Sequence, residues 1–301
     1  MHTAETIREA NVRYHDLAAE HYDSKWGIDY DEVGQAQVTG KLSKALGADP
    51  GRFARALEIG AGTGYFTLNL MRAGLVDQAV ATDISPGMLR ALSGSAAELG
   101  LTVDTAACEA ANLPFEHGSF DLVFGHAVLH HLPDLDAAFR EFRRVLRPGG
   151  LVAFCGEPSR YGDRLAQVPK RGALRVAPVW RALVGAAPRP GAGNGSGPSE
   201  EERLEQLVDV HAFTPGELAG HAGDAGFEAV RVRGEELAAS LFGWANRTLE
   251  ATADPDGIPR AWRIYAYRGY LMLQRLDRSL LEPRLPPALF YNLLVSARAP
   301  T

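Results

Sequence analysis

The chain has 301 residues, 46% of them hydrophobic and 23% charged, which suits a globular enzyme with ample material for a core. Its 31 basic and 37 acidic side chains leave a formal charge of −6, which argues against a general nucleic-acid binder. Cys108 and Cys155 stand alone, so neither a disulfide framework nor a metal site is expected; the polar stretch 1–10 has no signal-peptide core and no apolar run would span a bilayer, which points to a cytoplasmic location.

Thr6 and Glu9 have capping-box spacing, and Ile7, Ala10, Tyr14, Leu17, Ala18 and His21 follow one face of an N-terminal helix. A second helix is expected over Val33 to Leu46, before the turn Asp49-Pro50-Gly51. From Arg55 to Glu157, strand and helix alternate. Strands are expected at Ala56–Ile59, Gln78–Thr82, Leu101–Ala106, Phe120–Phe124 and Leu151–Cys155. Between them lie helices at Tyr65–Arg72 and Pro86–Leu99, and one carrying Leu135, Ala138, Phe139, Phe142, Val145 and Leu146 on a single face. Arg147-Pro148-Gly149-Gly150 reads as the stop of that last helix. The alternation breaks at Pro158 and returns at Thr214, which caps a helix with Pro215 at its first position and Glu217 completing the box. Strands at Glu228–Val232 and Leu289–Ser296 complete the pattern.

The expected fold is α/β: a doubly wound, mainly parallel, seven-stranded sheet with an N-terminal helical cap and helical inserts after strands 5 and 6. The divisions are a cap (1–50), a core (51–157), a basic lid insert (158–210) with a flexible loop at 187–200, a continued core (211–233), a helical aromatic insert (234–287) and a final strand (288–301).

The strongest local motif is Glu58-Ile59-Gly60-Ala61-Gly62-Thr63-Gly64, between a strand and a helix. Such a turn lets a ligand approach the backbone, and the helix N-terminus beyond it favours a carboxylate. Taken alone it also reads as a plain strand-to-helix turn. Asp83 ends the second strand, where a carboxylate accepts hydrogen bonds from two ribose hydroxyls; it also reads as a helix cap beside Pro86. A dinucleotide fold would want glycine at position 65, which is Tyr65, so the spacing suits a nucleoside ligand without a pyrophosphate.

With Thr82-Asp83-Ile84-Ser85-Pro86-Gly87-Met88-Leu89, Glu109-Ala110-Ala111-Asn112-Leu113-Pro114-Phe115, Ser119-Phe120-Asp121-Leu122-Val123, His130-His131-Leu132-Pro133-Asp134 and Leu146-Arg147-Pro148-Gly149-Gly150, the chain resembles the Rossmann-like class I S-adenosylmethionine-dependent methyltransferases. The likeness is to their small-molecule group, which includes the ubiquinone and menaquinone enzymes, and it covers residues 52 to 157. It implies S-adenosylmethionine as cofactor, with Glu58, Gly60, Ala61, Gly62 and Gly64 lining its methionine part. Asp83 would hold the ribose, Ile84 and Met88 would flank the adenine, and Glu109 with Ala110 would face the adenine amino group. Glu109 stands where the family carries Asp. His126 would lie beside the methionine end, and Tyr14 and Tyr22 would cap the pocket.

Methyl transfer from a sulfonium needs alignment, and a base only where the acceptor must lose a proton. His131, after the fourth strand, and Glu157, at the end of the fifth, are the candidate bases. The competing readings are that His131 packs against the helix after Pro133 and that Glu157 pairs with Arg160. From Arg160 to Arg189, seven basic residues face one acid, Asp163. That insert would steer an anionic substrate, a carrier-bound one or a membrane surface, or be a solvated lid. Trp244, Trp262, Tyr265, Tyr267, Tyr270 and Met272 in the second insert read as core or as the wall of an acceptor cavity. The reading is a methyltransferase for a small, bulky, partly apolar acceptor, in natural-product tailoring (secondary metabolism). A protein that binds the cofactor without moving its methyl group is the alternative. A nucleic-acid methyltransferase is disfavoured, since Gly125-His126-Ala127-Val128 stands where an Asp/Asn-Pro-Pro-Tyr/Phe segment would be.

Overall fold

A computed structural model describes residues 3–19, 22, 28–47, 50–189, 203–204, 207–208 and 210–301. Most of the expected loop at 187–200 lies outside the described residues. The chain divides into two compact units. The first holds Met1–Glu157, Glu200–Arg233 and Leu294–Thr301; the second holds Pro158–Ser199 and Gly234–Leu293.

The first unit is built on seven strands: β1 (Phe53–Ile59), β2 (Val76–Asp83), β3 (Asp104–Ala107), β4 (Phe120–His126), β5 (Leu146–Pro158), β6 (Glu228–Glu235) and β7 (Asn292–Arg298). Their order across the sheet is β3-β2-β1-β4-β5-β7-β6. β1 pairs in parallel with β2 and with β4, β2 with β3, and β4 with β5. The run β1, β2, β3 proceeds to one side of β1 and β4, β5 to the other. The chain therefore reverses direction between β1 and β4, and the crevice beyond their carboxyl ends is where open α/β sheets take ligands.

Strand and helix form where the apolar period demands. β4 is buried over Phe120–Gly125, as a central strand covered on both faces must be. The helices of this unit are α1 (Ala4–Ala18), α2 (Glu32–Leu46), α3 (Tyr65–Arg72), α4 (Pro86–Glu98), α5 (Leu135–Val145) and, after a long excursion, α7 (Pro215–Asp224). α5 buries Leu135, Ala138, Phe139, Phe142 and Val145, and the Asp134 carboxylate caps it by accepting from the Ala137 N–H. α7 carries the expected capping box of Thr214 and Glu217. α1 differs: Thr3 caps it by accepting from the Thr6 N–H, so the box read at Thr6 and Glu9 does not form. β5 differs too, since it starts at Leu146 and runs through the predicted stop. Leu146 pairs with Phe120, and a register shift before Leu122 absorbs the irregular residues. The core on one side of the sheet gathers Val38, Leu42, Phe53, Phe66, Leu70, Leu122, Phe124 and Leu294.

The second unit is helical: α6 (Arg160–Val184), α8 (Ala238–Ala251) and α9 (Arg260–Leu276). α6 lays Ala173, Ala177 and Trp180 against Leu249 and Ala253, small residues that let helices approach closely. A buried polar knot ties α8 to α9. Glu236 accepts from Tyr270 Oη (2.8 Å) and Gln274 Nε2 (3.0 Å), and Asp277 accepts from the N–H groups of Ala238 and Ala239. Burial pushes the Asp277 carboxyl upward. Among the described residues no helix is long and apolar enough to cross a membrane.

Candidate cofactor site

The glycine turn follows β1 at the point where the sheet reverses. Gly62 has φ +54°, and a Cβ built there would meet nothing within 4 Å. Its N–H donates to Asp83 Oδ2 at 2.9 Å, while Asp83 Oδ1 accepts from the Ser85 N–H. The end of β2 is thus tied to the crest of the turn. Burial raises the Asp83 pKa, and His15 and the two N–H groups counter it. Gly60 has a different reason to be glycine. A Cβ there would lie 2.4 Å from Val128 Cγ2, so the β4 loop packs directly on the turn.

Beneath the turn, Glu58 is buried and accepts from the N–H and Oγ1 of Thr67 in the first turn of α3. Burial raises its pKa to about 8, outweighing both hydrogen bonds, so the group is largely a neutral acid at pH 7. Thr63 Oγ1 is buried and lacks a hydrogen-bond partner among the described residues. A carboxylate at the rim, open room over a backbone in the left-handed region and an unsatisfied hydroxyl fit a nucleoside with polar appendages.

The N-terminal helix closes one side of this region. Asp16 Oδ1 accepts from Ser85 Oγ (2.5 Å) and the Gly87 N–H (2.8 Å), pinning α1 to the start of α4. Arg8 pairs with Glu109 at 2.8 Å. Between them lies a cavity of about 760 Å³ lined in part by Val12, Asp16, Leu17, Ile84 and Glu109. Ile84 and Glu109 therefore share one cavity wall, while Met88 is fully buried in α4 and Ala110 is half-buried. Tyr14 packs with Ala10 and Val208, away from the cavity lining, and Tyr22 is half-buried. Asp16 and Arg8 carried no sequence signal, because an acid and a base on a polar helix face are ordinary surface residues until the helix is docked.

The loop after β4 is strained and braced. Ala127 has φ +52°, a region costly for a residue with a Cβ. Glu157, fully buried, accepts from the N–H groups of Val128, Leu129 and His130 (3.0, 3.0 and 3.2 Å) and contacts His130 Nδ1 at 2.9 Å. The expectation of a base at Glu157, or of its ion pair with Arg160, gives way to that of a brace, because three backbone donors and an imidazole take up its oxygens. His131 turns Nδ1 to the Val208 carbonyl (2.9 Å), with its ring 4.0 Å from that of His130 and 5.6 Å from that of His15. Burial, then His130 and His15, hold its pKa well below the usual histidine value. His126 closes β4 with its ring stacked on Phe66 at 4.7 Å. Among the described residues no cluster of His, Cys, Asp or Glu has the makings of a metal site.

Known proteins resemble this chain in sequence and fold. Residues 57–154 match the family described as a methyltransferase domain. The chain is 39% identical over 158 residues to the malonyl-[acyl-carrier protein] O-methyltransferase of Methylococcus capsulatus, covering 51% of this chain but only half of that protein. It is 32% identical over 205 residues to the nocamycin O-methyltransferase of Saccharothrix syringae, covering 65% of this chain and 69% of that one. Among solved structures, a Haemonchus contortus phosphoethanolamine N-methyltransferase 2 in complex with S-adenosylhomocysteine superposes with a TM-score of 0.61, at 17% identity, over 98% of this chain and 60% of that one; at that identity it speaks for the fold alone. With the family match and a methyltransferase relative covered over 69% of its length at 32% identity, the chain belongs to the Rossmann-like S-adenosylmethionine-dependent methyltransferases.

Proposed function

We propose that the protein transfers a methyl group to a small, bulky, partly apolar acceptor by in-line displacement, with an acceptor oxygen as the first candidate. S-adenosylmethionine supplies an electrophilic methyl carbon and a neutral leaving group when bound. The chain's task is then placement, which contributes roughly 7–11 kcal/mol to lowering such a barrier. Asp83 accepts from the ribose hydroxyls, Ile84 and Glu109 bound the adenine side, and the turn 60–64 carries the methionine part. His126 stands at its far end. Two O-methyltransferases among the relatives support oxygen as the acceptor atom. We assign the reaction to tailoring of a secondary metabolite, in keeping with the aromatic character of the second insert.

His131 is the residue we assign to the acceptor's proton. Donation from Nδ1 to the Val208 carbonyl makes Nε2 the basic nitrogen. The lowered pKa keeps the ring neutral at pH 7, as an acceptor of a hydroxyl proton must be. Glu157 acts through the loop it braces and is a positioning residue.

The observation that carries this reading is the Asp83 carboxylate on the Gly62 N–H at the sheet's reversal. Titration calorimetry with S-adenosylhomocysteine tests it. Asp83→Ala and Gly62→Val are each expected to weaken binding at least about a hundredfold, roughly 2.7 kcal/mol, the strain of Val at φ +54° making circular dichroism the check that the second variant is folded. Parental affinity in both folded variants overturns the cofactor site. Labelled-methyl transfer to a panel of phenols, quinols and polyketides then tests the reaction. Tight cofactor binding without transfer to any of them favours the non-methylating alternative.

A further inference from the structure

α6 carries a row of exposed apolar side chains outside the cofactor site. Its apolar residues Tyr161, Leu165, Val168, Val176, Val179 and Leu183 are 39% to 82% exposed, while Leu174, 57% exposed, lies on another side of the helix. At 3.6 residues per turn these six fall within an arc of about 80° along about 33 Å of helix. They form one stripe, interrupted at Gly172 between Val168 and Val176. Gly162, Ala166, Ala173, Ala177 and Trp180 occupy a separate, buried face, so the stripe is not the side on which α6 packs within its own unit. Leu183 is the most exposed of them, at 82%.

Charge says what covers the stripe. Arg160, Arg164, Arg171 and Arg175 are all exposed and fall in an arc of about 60° directly beside it. The other two basic residues within α6 lie outside that arc: Lys170 is over the Trp244 ring at 3.8 Å, and Arg181 donates to the Thr252 carbonyl. Asp163 is the helix's one acid. The second unit holds 14 basic and 8 acidic side chains, a formal +6 within a chain of −6. Glu235, Glu236 and Asp277, three of those acids, are buried. α9 adds Ile264, Tyr265, Tyr267 and Met272, each more than 40% exposed, on a helix none of whose residues is fully buried.

We infer that α6 docks the protein on an anionic phospholipid surface, its apolar stripe entering the acyl boundary and its row of arginines meeting the lipid phosphates. A helix of this kind lies in the interface plane rather than across it, in keeping with the helix's polar face. Each arginine near such a surface contributes about fivefold in affinity, and salt weakens that share. An acidic protein partner would answer to the arginines but not to a 33 Å aliphatic stripe (~1.5 Å per residue). The inference does not depend on which molecule accepts the methyl group.

Vesicle co-sedimentation tests it with the full-length protein. The parent is expected to pellet with phosphatidylcholine vesicles containing a quarter phosphatidylglycerol, and to stay largely in solution with phosphatidylcholine alone. Arg164→Ala/Arg171→Ala/Arg175→Ala is expected to weaken binding about a hundredfold. Val168→Asp/Val179→Asp should weaken it at least tenfold at any salt concentration, with an unchanged thermal midpoint because both side chains are exposed. Failure of the parent to bind the anionic vesicles overturns the proposal, as does equal binding by the variants. Ultracentrifugation showing a dimer that Val168→Asp/Val179→Asp abolishes overturns it in favour of a self-interface. Capture of acyl carrier protein by the parent, without vesicle binding, overturns it in favour of a protein partner.

Discussion

Glu58 stands under the glycine turn as a carboxyl group that burial keeps protonated near neutrality. Its folded pKa, about 8, lies above the ordinary 4.5, so the native state binds the extra proton between those values. Stability from this group is fully present below pH 4.5 and is lost as pH rises toward 8. Glu58→Gln keeps the shape and removes the titration. Its unfolding free energy is expected to be flatter with pH than the parent's between pH 5 and 8, by at most about 1.4 kcal/mol per pH unit. Chemical denaturation at a series of pH values measures this, and equal slopes for the two proteins would refute the protonated state. The carboxylates at 58, 83 and 157 look alike in the sequence, yet one is a neutral acid on β1 bonded to α3, one is tied to the glycine turn and one braces a loop. All three are buried, and what distinguishes them is which donors surround each, which is not written in the local sequence.

At the scale of elements, α1 packs Ala10 and Tyr14 against Val208 and is fastened toward α4 by an exposed carboxylate and toward Glu109 by an ion pair. Asp16 bonds the start of α4, and Arg8 meets Glu109. Asp16→Ala is expected to loosen α1 from the cavity it lines, weakening S-adenosylhomocysteine binding about tenfold, or 1.4 kcal/mol. Amide exchange over residues 4–18 should rise while the thermal midpoint stays within a few degrees. Unchanged affinity would mean that α1 has no part in holding the cofactor. α3 and α5 could be read directly from the sequence, because each has a clean apolar face and flanking glycine, proline or aspartate. α6 could not. Pro169 and Pro178 lie inside it, and proline removes a helix hydrogen bond and crowds the preceding turn. The helix persists over 25 residues, its alanine face packed against the residues of α8 and the segment after it. That packing partner lies some 70 residues further along the chain, beyond any local window.

For the whole molecule, the two units are built from different material. The first has large interior side chains such as Phe120, Phe124, Phe139, Phe142 and Phe154. The second gathers four alanines around Trp180 and Leu249, and no residue of α9 is fully buried. Burial of apolar area sets local opening free energies, so the second unit is expected to exchange its amides faster. Exchange mass spectrometry should show α6, α8 and α9 deuterated before β1 and β4. Equal protection in the two units would show that the polar knot at Glu236 and Asp277 makes up the missing apolar area.

By itself the sequence determined the doubly wound sheet, the glycine turn and the carboxylate at the end of β2. Each follows from a short-range rule: apolar period, turn chemistry, or the distance from one strand end to the next. The tertiary structure alone decided that Glu157 braces a loop, that Asp16 fastens the N-terminal helix and that α6 turns an aliphatic stripe outward. Those outcomes depend on groups far apart in the chain, and their burial and charge environment exist only once the sheet has brought them together.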